Sequence, residues 1–210
     1  MIDWAATGQM ISGLGTVAGS VAIVVAAVLG RSAVKDFRHQ KVIEKQVDQA
    51  EQALAVAYKL KDAISAIRSP MTMGHESADA REELGDKEWF NLLGEGEQGK
   101  YVQANVFYQR TRSQKDTFDA AFEILPYAKA YFGKDIEGAF RTILKCGRSV
   151  RVYADAYARD NGRDREFTKK IESIIWEGAG LDGADETTTE IDNAIEKIEA
   201  TLLPKIQIEK

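Results

Sequence analysis

From residue 4 to residue 30 the chain carries no charged side chain. As a helix, at about 1.5 Å per residue, this run reaches roughly 40 Å, more than the ~30 Å hydrocarbon core of a bilayer. Its densest apolar part is residues 17–29, and Trp4 suits an interfacial anchor. A buried helix of this length, polar on no face, would need a larger protein around it. A cleaved signal peptide is the other alternative. It wants a basic n-region, whereas Asp3 sits beside the α-amine here, and Val25 and Ala27 leave cleavage open. Beyond Gly30 come Arg31, Lys35, Arg38, Lys41 and Lys45, opposed by Asp36 and Glu44. The positive-inside rule places that side in the cytoplasm. The same cluster suits contact with anionic lipid. The reading is a transmembrane helix over 9–30 after a short segment 1–8, single-pass, with the N-terminus outside and the C-terminal domain cytoplasmic.

Small residues recur along that helix at helical spacing. Gly15 and Gly19 form a GxxxG pair, Ser12, Thr16 and Ser20 run beside it, and Ala18, Ala22, Ala26 and Gly30 make a second row. Such rows let backbones approach closely, so transmembrane packing through Ser12, Gly15, Thr16, Gly19, Ala22 and Ala26 is expected, and with it a homo-oligomer. Frequent Gly and Ala in membrane helices are the plainer explanation of the same pattern.

Residues 33–68 contain neither Gly nor Pro and favour helix. Ile43, Val47, Ala50, Leu54 and Ala57 step by four and three, and Leu60, Ile64 and Ile67 continue after a phase slip. This predicts a juxtamembrane stalk over 31–52, with coiled-coil-like heptads, entering a cytoplasmic domain over 53–210. Pro70 stops the helix. Residues 72–99, glycine-containing and acidic, read as a mobile connection with a short helix around Trp89 and Phe90.

Further helices are expected over 100–125, with Pro126 kinking rather than ending the run, over 136–160 with Asp135 as N-cap, over 165–178 capped by Asp164, and from Thr187 with Glu190 as a capping box to Pro204. No segment alternates with period two. The fold class is all-α, an N-terminal transmembrane helix and helical stalk leading to a four- or five-helix cytoplasmic bundle.

Composition excludes more than it assigns. The 210 residues carry 28 basic and 33 acidic side chains, a single Cys and two His. A disulfide framework and a cysteine zinc cluster are excluded. A net charge of -5 gives no support to nucleic-acid binding. That charge hides blocks of +3 over 31–70, -6 over 71–99, +6 over 100–170 and -7 over 171–210. In the basic block, Arg141, Lys145 and Arg148 share a helix face, a candidate surface for an anionic partner or ligand, or else a solvated face paired with the acidic blocks.

Chemistry-bearing motifs are weak. Gly94, Gly96 and Gly99 match GxGxxG, but no strand precedes them and Glu95 and Glu97 would repel phosphate. His75 and His39 lack metal-ligand spacing. Asp182, Asp185 and Glu186 lack the EF-hand pattern and read as charges at a helix start. Cys146 reads as a buried structural thiol. No catalytic, cofactor-binding or metal-binding residue is assigned, and no enzyme is expected.

The stretch Ala53, Leu54, Ala55, Val56, Ala57, Tyr58, then Asp62 to Pro70, resembles a loose group of uncharacterised bacterial single-pass membrane proteins with a helical cytoplasmic domain. Phe132 and Gly133 before Phe140, and Ile191 and Asp192 before Ile198, Glu199 and Pro204, extend the resemblance. It implies a bacterial or phage origin and an inner-membrane location, and transfers no catalytic residue. The expected function is a membrane-anchored interaction or scaffold module acting by self-association or by recruiting a cytoplasmic protein partner. The alternative is a membrane effector or sensor, for example in a stress or phage-defence response, whose cytoplasmic domain controls the transmembrane segment.

Overall fold

The computed structural model describes the backbone of residues 4–178 and 185–207, and side chains from residue 30 onward within those limits except at 32, 33 and 36. The described residues form helices and no strand: α1 (Trp4–Arg68), α2 (Gly74–Gly85), α3 (Glu88–Asn91), α4 (Glu95–Ser113), α5 (Lys115–Phe132), α6 (Lys134–Arg159), α7 (Arg165–Ile175) and α8 (Glu186–Ile206). The all-α class holds. The chain divides into two compact units, residues 1–47 and 48–210.

In the first unit the backbone of the expected span over 9–30 is part of α1, while its side chains up to residue 29, those of Ser12, Gly15, Thr16, Gly19, Ala22 and Ala26 included, lie outside the described residues. Among the described residues, no helix is long and apolar enough to cross a membrane. Arg31, Lys35, Arg38, Lys41 and Lys45 are all exposed, and Lys41 Nζ lies 2.6 Å from Glu44 Oε2.

The second unit is built on a four-helix core. From α1 come Ala50, Ala53, Leu54, Ala57, Leu60 and Ile64, one stripe at three- and four-residue spacing. Its alanines keep the seam narrow, so that the bulk is supplied by Ile124 and Leu125 of α5, Phe140 and Ile143 of α6, and Ile195, Ile198 and Leu202 of α8. Across the α1–α8 seam, Tyr58 Oη donates to Glu199 at 2.5 Å and Lys61 pairs with Asp192 at 2.6 Å. A second cluster gathers Ile67, Phe107, Val150, Ile171 and Ile175 from α1, α4, α6 and α7. A third, Ala80, Phe90, Val102 and Val106, fastens α2 and α3 to α4.

Several boundaries differ from expectation. The acidic connection 72–99 is mostly helical, because α2 and α3 bury Ala80 and Phe90 and because Glu76 accepts from the Met73 amide at 2.8 Å. The helix expected over 100–125 is two: α4 starts earlier and breaks at Gln114, which is both its C-cap and the N-cap of α5. Next to the break, the Thr111 and Ser113 hydroxyls donate to the Phe107 and Arg110 carbonyls, local bonds that compete with helix continuation. Pro126 lies inside α5, which runs on to Phe132.

The N-cap of α6 is Gly133 rather than Asp135, in a backbone conformation (φ 92°, ψ -179°) essentially reserved for glycine. Asp164 caps α7 as expected, accepting from the Glu166 and Phe167 amides at 3.1 Å. The cap of α8 is Asp185, which accepts from the Thr188 amide at 3.0 Å and displaces the expected Thr187–Glu190 box. α8 continues through Pro204 to Ile206.

Candidate functional site

Three helices present one stripe each to a common groove. α4 contributes Tyr108, Thr111 and Arg112; α5 contributes Lys115, Phe118, Asp119 and Phe122; α6 contributes Leu144, Gly147, Arg148 and Arg151. Counted from Tyr108, Lys115 and Leu144, the other residues of each helix lie three, four or seven further on, the spacing of a single helical face. The cavity has a volume of about 620 Å³, the size of a small-molecule site, about 300–1,000 Å³.

Its floor depends on a missing side chain. A Cβ on Gly147 would stand 2.8 Å from Phe118 Cε1 and 3.1 Å from Cζ, so the Phe118 ring rests on bare α6 backbone. Phe118 also packs against both the four-helix core and the α7 cluster, which holds its position. Phe122, one turn further along α5, is 50% exposed. Leaving an aromatic ring this open costs hydrophobic free energy that a bound partner would recover.

The rim is cationic. Arg112 Nη2 is held by Glu83 of α2 at 2.8 Å, and Lys115 pairs with Asp119 one turn away. These bonds hold the Glu83 carboxyl below the usual carboxylate range and raise the Lys115 ammonium pKa. Arg148 and Arg151 make no ion pair among the described residues. On the inner wall Tyr108 Oη donates to Asp155 Oδ1 at 3.3 Å. Burial first, then the Asp155 charge, pushes the phenol pKa up, so it is a neutral donor near pH 7.

The basic residues singled out from the sequence separate here. Arg148 lines the groove with Arg112, Lys115 and Arg151. Arg141 lies outside it, bonded to Glu137 Oε1 at 2.7 Å, a carboxylate that Lys129 also approaches at 3.1 Å. Lys145 is exposed and not part of the groove lining. Sequence reasoning missed Phe118, Phe122 and Gly147 as a unit. The signal lay in two aromatics one turn apart on α5 and a glycine flanked by basic residues on α6.

The other candidates are structural. Asp185, set aside as a cation ligand, is the α8 cap and is bound by Arg68. Gly96 and Gly99 lie inside α4, and the Gly94 amide donates to Glu97 at 3.3 Å, as at a helix start. His75 and His39 are exposed on helices. Cys146 Sγ donates to Glu190 Oε2 at 3.3 Å; burial, then that carboxylate, pushes the thiol up to about 12. Among the described residues no group of His, Cys, Asp or Glu is arranged to hold a metal ion.

Arg68 also escaped sequence reasoning. Only 1% exposed, its guanidinium donates to the Ile174, Ser173 and Trp176 carbonyls at the end of α7, to Thr188, and to both oxygens of Asp185. Arg110 does comparable work at the Pro70 turn, donating to the Ser69 and Met71 carbonyls at 2.7 Å and to Glu76 at 2.8 Å. Both are framework groups: Arg68 ties the ends of α1, α7 and α8 together, and Arg110 ties α4 to the Pro70 turn and to α2. No protein family, no curated protein and no solved structure matches this chain.

Proposed function

We propose that this chain is a membrane-anchored helical interaction module, held by the uncharged segment 9–30 and acting through self-association or recruitment of a cytoplasmic partner. The observation that carries the reading is that α1, the helix bearing the uncharged run, also supplies the Ala50-to-Ile64 seam of the bundle core. An anchor joined to its domain by a helix, rather than a loop, suits a module that acts at a membrane. The exposed row Arg31, Lys35, Arg38, Lys41 and Lys45 supports it, since basic residues directly after an apolar run favour the cytoplasmic face and anionic headgroups. The bacterial inner membrane is the corresponding location.

Cross-linking the full-length protein in its native membrane, followed by mass spectrometry, tests this reading. Links between copies, or to a recurring cytoplasmic protein, are the expected result; intramolecular links alone count against it. Replacing Gly15 and Gly19 by Leu should reduce the links between copies if the anchor packs through its small residues.

A second reading, a membrane effector or sensor, is favoured by one observation: the cavity between α4, α5 and α6 has the size of a ligand pocket and a cationic rim. In that case an occupied bundle would alter the membrane. Dye uptake and growth after induced expression separate the two, because a pure recruitment module leaves the membrane inert.

A further inference from the structure

We propose that the α4–α5–α6 cavity binds a small planar anion, an aromatic or heteroaromatic ring bearing a phosphate or carboxylate, the chemical class that includes nucleoside monophosphates. The inference deepens the sensor reading and rests on it for biological meaning, though not for the existence of the site.

Three observations select this class. Phe118 and Phe122, one turn apart on α5, offer aromatic surface in a cavity of about 620 Å³, and Leu144 supplies apolar wall. Flat rings stack on such surface and lose little conformational entropy in doing so. An acyl chain would have to order many bonds in a cavity that opens to solvent.

The anionic group is specified by Arg148 and Arg151, three residues apart on α6 and exposed at the rim without a carboxylate partner among the described residues. Asp119, the carboxylate in the lining, is engaged by Lys115 and leaves the arginines to a ligand. Guanidinium groups recognise phosphate and carboxylate through paired hydrogen bonds and also stack on aromatic faces, so they serve both parts of such a ligand.

The third observation is Gly147. It lies between the arginines and Leu144, and the absence of its side chain leaves the Phe118 ring seated on α6 and the cavity open beside it. A larger residue there would push Phe118 into the space a ligand ring needs.

The test uses full-length protein in nanodiscs of zwitterionic phosphatidylcholine, with empty discs as blank, and equilibrium dialysis of 1-naphthyl phosphate. Saturable binding near one equivalent per chain is expected, displaced by adenosine monophosphate and far less by inorganic phosphate or adenosine. Arg148→Gln with Arg151→Gln should weaken binding by about tenfold or more, and Phe122→Ala by about threefold, whereas Arg141→Gln leaves it unchanged. Helicity and thermal midpoint are measured for each variant, and if the double variant does not fold, Arg151→Gln alone takes its place.

No saturable binding above empty discs overturns the proposal. Equal displacement by inorganic phosphate overturns the aromatic half, and displacement by laurate at lower concentration than adenosine monophosphate overturns planarity. Binding that the arginine variants leave intact overturns the site. Binding as expected, with no ligand-dependent change in dye uptake by cells, upholds the site and removes the sensor reading.

Discussion

Arg68 and Asp185, 117 residues apart in the chain, meet in a fork in which one guanidinium nitrogen lies 2.8 Å from each carboxylate oxygen. Arg68 ends α1 and Asp185 caps α8, while Nε donates to the Ile174 carbonyl and the same Nη2 also reaches the Ser173 and Trp176 carbonyls, which α7 leaves open at its C-terminus. One side chain at the end of α1 therefore joins the C-terminus of α7 to the N-cap of α8. Arg68→Met would strand Asp185 and those carbonyls together. A loss of about 3–5 kcal/mol is expected, read from urea unfolding, with partial recovery in Arg68→Met combined with Asp185→Leu. A loss below about 1 kcal/mol would show that the fork adds little.

Two carboxylates make the fold sensitive to acid. Hydrogen bonds from Arg110, set against a smaller opposing effect of burial, lower Glu76 from 4.5 to about 2. At Asp185 burial alone would raise the pKa, but Arg68, Thr188 and Gly178 together hold it below its usual value. Both groups are depressed in the folded state, so their contribution is complete above pH about 4.5 and disappears as pH falls through the folded values. The Glu76 share is about 2 kcal/mol once solvent screening is allowed for. Thermal midpoints taken from pH 6 to pH 2.5 should fall, and Glu76→Gln should flatten the fall.

Cys146 should be inert in the folded protein. Its thiol is 4% exposed, donates to Glu190 and is pushed up to about 12. At pH 8 almost no thiolate exists to attack an alkylating agent. Iodoacetamide should label it only after denaturation, as read by intact mass; rapid labelling of the native protein would contradict this placement.

Two glycines near the start of α6 should respond in opposite directions. Gly133 holds φ at 92°, and Gly133→Ala should cost about 1–3 kcal/mol. Gly138 sits within α6, and a methyl group there would meet no neighbouring atom within 4 Å. Gly138→Ala should therefore stabilise by up to about 1 kcal/mol. Denaturant midpoints of the two variants should move to opposite sides of the parent.

The legible parts of this fold are local ones. Pro70 after Arg68, the Asp164 cap and the apolar stripes of α1 and α8 follow from neighbours within one or two turns. The break at Gln114 was not legible, since no Gly or Pro marks it and the Thr111 and Ser113 hydroxyls bond carbonyls of their own helix. Asp185 was legible as a charge at a helix start, but not its bond to Arg68, which lies 117 residues away in the sequence. The groove falls between these cases. Arg148 could be named from its helix face, but its association with Arg112 and Phe118 depends on how α4 and α5 pack on α6.

The central claim, a helical domain held at a membrane by residues 9–30, is tested most directly by alkaline carbonate extraction of cell membranes containing the full-length protein. The account predicts that the chain stays in the membrane pellet, and that Val24→Asp with Val25→Asp releases it. Recovery of the unaltered chain in the carbonate supernatant would contradict the account.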